Sequence, residues 1–182
     1  MFKVKALALL HDPPWKPWSI TKSIDGSGRA LDDDFLKKFG VTYYEKAEDV
    51  HEREGLTLAK LLGITDKEIE KYMEIVHEAD VFSASIERYA IGHSEGVYKQ
   101  VWKYNVFNPK HKIKLAESVD KKCIQNYVEW LVNTLKGLDW KDKYNSLYAL
   151  LEVGWYHFCK KHYPLADTRV GTYSVFDHVY AT

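Results

Sequence analysis

The chain has 182 residues, 46% of them hydrophobic, enough for one sizeable core and too few for two full domains. Lysine plus arginine and aspartate plus glutamate each number 26, so no global positive field draws the chain onto a polyanion and any polynucleotide contact has to be local. No stretch is apolar enough to span a bilayer and no cleavable leader is visible.

Phe2 to Leu10 reads two ways: Phe2, Val4, Ala6 and Ala8 alternate with lysines as in a strand, whereas the Ala and Leu content favours a helix. Pro13 to Gly28, with two tryptophans among Pro, Gly and Ser, is expected to be irregular. From Leu31 onward apolar residues recur at spacings of three and four, which predicts a helical body. Ala47 to Leu62 carries a stripe of Val50, Leu58, Leu61 and Leu62 with Gly63 as its stop. Thr65 and Glu68 stand at capping-box spacing before Ile69, Tyr72, Met73 and Val76. Gly92 to Lys114, aromatic and broken by Pro109, is expected to be a long irregular loop. Val119 to Lys136, with Ile124, Tyr127, Val128, Leu131 and Leu135, and Lys143 to His162, with Leu147, Leu151, Gly154, Trp155 and Phe158, complete the helical set. Ser174 with Asp177 resembles a further helix start with no cap to close it, as expected of a domain cut from a longer chain. Cys123 and Cys159 lie far apart in apolar patterns and read as buried thiols of a cytoplasmic protein.

Imidazole and carboxylate together are the ligand types that hold a divalent ion for hydrolysis, and His11 and Asp12 supply both. Pro13 disfavours the α conformation at Asp12 and marks an element end, where neighbouring side chains can converge; an ordinary cap would use the same two residues. Asp80 falls on the apolar stripe, four residues after Val76 and seven after Met73, so it needs a cationic partner or a metal. His77 lies one turn earlier, as a ligand, a supporting residue or a plain helix histidine. His51 borders the inward face of its helix, and Asp177 and His178 open the last segment. Lys16 or Arg169 could steady a phosphate. Lys110, Lys112, Lys114, Lys121 and Lys122 form the densest basic stretch, either a phosphate path or a solvated face. Trp15, Trp18, Trp102 and Tyr104 could stack on unpaired bases or simply pack over the core.

These residues resemble the HD superfamily, in which a helix ends in His-Asp and further helices supply His and Asp. His51 ahead of Gly55 and an apolar run, and Ala79-Asp80, look like two of its helices, while the histidine that usually comes first stands last, at His178. The permuted order, the opening Leu10-His11-Asp12-Pro13-Pro14-Trp15-Lys16 and the segment Ala166 to His178 resemble the amino-terminal domain of the type III CRISPR effector large subunit of Cmr type. Trp15 stands where that family commonly has glycine.

The resemblance implies an all-α, HD-like bundle of circularly permuted order with long irregular loops, one domain over 1–182, continued by palm domains in the parent. It implies a nuclease acting on single-stranded DNA in an RNA-guided complex with other effector subunits. His11, Asp12, His51, Asp80 and His178 would hold one or two ions of Mn²⁺, Ni²⁺ or Co²⁺, which suit mixed nitrogen and oxygen ligands better than Mg²⁺ does. His11 and Asp12 would be catalytic, with His77, Lys16, Arg169 and Asp177 in support. A catalytically silent scaffold and a hydrolase of small nucleotides are the alternatives.

Overall fold

A computed structural model describes residues 1–16, 18–19, 29–91, 102–105, 108–114 and 120–158. Helix α1, Phe2–Leu10, packs against three later helices and buries Ala6, Leu7 and Leu10. Contact on several sides explains why its sequence shows no single apolar stripe and read as either strand or helix; the Ala and Leu content decides for helix. A short helix α2, Asp33–Lys37, follows, capped by the Asp32 carboxylate, which accepts from Phe35 N–H at 2.9 Å.

Helix α3, Val50–Leu61, ends where Gly63 takes φ 94° and Ile64 N–H returns to the Ala59 carbonyl at 3.0 Å. That wrap satisfies carbonyls the helix would leave open. The long helix α4, Asp66–Ile91, starts on the expected capping box: Thr65 N–H donates to Glu68 at 3.0 Å and Glu68 N–H returns to the Thr65 hydroxyl at 3.4 Å. Its buried residues Ile69, Met73 and Val76 are those of the predicted stripe.

Helices α5, Lys121–Leu135, and α6, Trp140–Phe158, pack on each other, and α1 lies against α3, α4 and α6. Gly154 allows the close approach on α6, because a Cβ there would fall 2.4 Å from the Tyr127 hydroxyl and 3.0 Å from Pro14. The core joins Leu7 and Leu10 of α1, Leu56 and Leu58 of α3, Ile69 of α4, Ile124 and Leu131 of α5, and Leu147, Leu151 and Phe158 of α6.

The described residues are thus an all-α bundle, as the periodicity predicts, with one addition. Part of the stretch expected to be irregular forms an antiparallel hairpin of β1, Trp102–Asn105, and β2, Asn108–Lys114. Aromatic or aliphatic residues alternate with lysine there at the strand period of two, a pattern that Pro109 obscures. A second correction concerns Cys123, which is exposed. It precedes Ile124 by about 100° around α5 and so falls off the stripe that Ile124, Val128, Leu131 and Leu135 bury. Cys159 lies outside the described residues. Among the described residues no helix is long and apolar enough to cross a membrane.

Candidate metal centre

His11 is the residue on which α1 ends, its N–H bonded to the Leu7 carbonyl at 2.9 Å. Its ring turns back on the same helix. Nδ1 lies 2.7 Å from the Ala8 carbonyl oxygen, so Nδ1 carries the proton and donates. In the neutral ring this leaves a lone pair on Nε2, which is buried without a hydrogen-bond partner. Asp80 Oδ1 stands 3.7 Å from it, too long for a hydrogen bond.

Asp12 is buried. Oδ2 accepts from Lys16 Nζ at 2.6 Å, and Oδ1 stands 3.6 Å from His51 Nε2. Burial alone would raise this carboxyl; the Lys16 ammonium, helped by His11 and His51, outweighs it and holds the group at about 2. Burial and the same ammonium push His51 down to about 4. For His11, burial works against the charged ring, yet the carboxylates of Asp80 and Asp12 prevail and its pKa rises. Asp80, beside His11, is lowered. The carboxylates thus favour an added positive charge beside His11, whereas burial and Lys16 oppose one beside His51.

Two features of α3 bring His51 to this place. Gly55, one turn on, lets the helix press against the end of α1: a Cβ there would lie 1.9 Å from the Leu10 carbonyl oxygen and 3.2 Å from that of His11. Glu54 is fully buried and ties the loop after Asp12 to α3. It accepts from the Trp15 indole N–H at 2.9 Å and from Leu31 N–H at 3.1 and 3.2 Å. Burial pushes its carboxyl up to about 7 despite these bonds. Glu54 was not among the expected site residues, although the signal was present: it lies four residues after Val50 and four before Leu58, on the apolar stripe.

Of the residues expected at the site, His11, Asp12, His51 and Asp80 come together in two facing pairs. Lys16 joins them through Asp12. His77 pairs with Glu52 instead and is half-exposed. Trp15 and Trp18 are buried, so they pack over the core and offer no ring to a base. His178, Asp177 and Arg169 lie outside the described residues.

Among the described residues no three His, Cys, Asp or Glu side chains stand as a ready-made cage. Each of the two pairs nevertheless offers one nitrogen and one oxygen donor, the types a divalent transition metal takes. A metal-binding histidine characteristically gives its other N–H to a carbonyl or carboxylate, as His11 does to Ala8. Donors sharing one ion with bonds near 2.1 Å stand about 3 to 3.6 Å apart, close to the spacings seen in both pairs.

No family model matches the chain, and no solved structure matches it. Among curated proteins it is similar to the CRISPR system CMR subunit Cmr2 of Saccharolobus solfataricus, at 27% identity over 191 residues. The alignment takes in 98% of this chain and 16% of that relative, so the chain spans about a sixth of the protein it resembles.

Proposed function

We propose that the chain is a metal-dependent phosphodiesterase domain of permuted HD type, cleaving single-stranded DNA as part of a CMR-type CRISPR effector subunit assembled with RNA-guided partners. The observation that carries this reading is the buried, unpartnered Nε2 of His11, its ring locked by Ala8 and facing the Asp80 carboxylate. Similarity to a Cmr2 subunit along nearly the whole chain supplies the biological setting.

In this reading His11, Asp12, His51 and Asp80 hold the ion, with His178 completing the set. Mn²⁺, Ni²⁺ or Co²⁺ would supply Lewis acidity and lower the pKa of a bound water. The chain's own residues do the rest. Ala8 fixes the His11 tautomer, Gly55 and Glu54 set His51 against Asp12, and Lys16 places a fixed positive charge where a phosphodiester would bring its negative one.

The test is elemental analysis of the purified chain together with cleavage of single-stranded DNA in Mn²⁺ or Ni²⁺. A bound transition metal and cleavage abolished by His11→Ala, Asp12→Ala are expected. Protein that takes up no metal and cuts nothing would overturn the reading, and hydrolysis confined to free nucleotides would change the substrate. A catalytically silent scaffold is the second reading. It is favoured by the Lys16–Asp12 ion pair, which already neutralises the central carboxylate.

A further inference from the structure

The hairpin strands β1 and β2 contain four lysines, Lys103, Lys110, Lys112 and Lys114, together with His111 and no acidic residue. In a chain whose formal net charge is zero, this is a local concentration of positive charge. The pairing adds what the sequence alone left separate. Trp102 pairs with Lys114 and Tyr104 with Lys112. Strand residues alternate between faces with period two, so both pairs belong to one face of the ribbon. The register shifts between Tyr104 and Asn105, and Lys110 falls in that irregular stretch. One face therefore repeats the same couple twice along its length, an aromatic residue opposite a lysine.

We infer that this face of the β1–β2 ribbon is the docking surface for a single-stranded polynucleotide. The charge is complementary to a phosphate backbone, and aromatic rings take the faces of bases only where the bases are unpaired. A duplex would satisfy the lysines and leave Trp102 and Tyr104 without a role. The inference extends the strand-cleaving reading to the place where the strand lies. It concerns binding alone and needs no metal.

The experiment is fluorescence anisotropy of a labelled oligothymidylate with the 182-residue chain in EDTA over a series of salt concentrations. Working in EDTA keeps it independent of the metal site, whose failure would show in the cleavage assay and not here. Each lysine–phosphate contact contributes about 0.7 to the slope of log affinity against log salt for single strands. Lys112→Ala, Lys114→Ala should flatten that slope by about 1.4, and Lys112→Arg, Lys114→Arg should restore it. Trp102→Ala, Tyr104→Ala should leave the slope in place and weaken binding about 5- to 150-fold for each base that stacks. Circular dichroism of each variant confirms that the helical body is intact. Failure of the parent to bind, an unchanged slope in the lysine variant, or equal affinity for a duplex of the same length would each overturn the proposal.

Discussion

Glu54 shows how one side chain couples the fold to the candidate site. Its carboxylate receives the indole N–H of Trp15 and the amide of Leu31, so a single group holds the loop after Asp12 and the segment before α2 against α3. Burial sets its folded pKa at about 7, above the ordinary 4.5. A carboxyl whose pKa rises on folding keeps its proton longer in the native state. Its contribution is therefore fully present below about pH 4.5 and lost as pH climbs through about 7, a loss on the order of 3 kcal/mol. Glu54→Gln cannot ionise and should lack that part of the pH dependence, although its amide meets donors and costs stability at pH 5. Urea unfolding at pH 5 and pH 8 reads both effects, and the gap between parent and variant should narrow toward pH 8. Equal pH slopes in the two proteins would show that Glu54 is not the titrating group.

At the scale of elements, the decisive contact is the crossing of α1 and α3, where the backbones approach through Gly55. A methyl group there meets a main-chain oxygen, which cannot rotate away as a flexible side chain would. Gly55→Ala should thus cost about 2 to 3 kcal/mol, the upper range for overpacking, read as a lower urea midpoint with an unchanged slope. A midpoint equal to that of the parent would mean the helices do not approach this closely. Helices α3 to α6 were legible to within a few residues, because each carries an apolar stripe, with Gly63 and Thr65 marking the end of α3 and the start of α4. Helix α1 was not, since three neighbours bury it, and the hairpin was hidden by Pro109. His11, Asp12, His51 and Asp80 were readable as polar residues at element ends or on apolar faces. Lys16 and Asp12 stand four residues apart, a spacing that allows their pairing, whereas the pairing of His77 with Glu52 across 25 residues depends on packing that no spacing encodes.

For the molecule as a whole, the site is also a joint. His11 ends α1, Asp80 comes from α4 and His51 from α3, and α1 packs against both of those helices. An ion bound across them would tie three helices together in the native state and find no such arrangement in the unfolded chain, so binding should appear as stability. At a free concentration one hundred times the dissociation constant the gain is about 2.7 kcal/mol. In a chain of this size each kcal/mol moves the melting temperature by about 2 to 4 °C, so Mn²⁺ or Co²⁺ should raise it by about 5 to 10 °C, reversibly on adding EDTA. His11→Ala and Asp80→Ala should each remove most of that rise, because each takes away one side of a pair that bridges α1 and α4. His77→Ala serves as the contrast, since its ring is engaged with Glu52 on the outer side. A shift that survives in both site variants would place the ion elsewhere on the chain. The absence of any shift in the parent would leave His11, Asp12, His51 and Asp80 with a structural role alone.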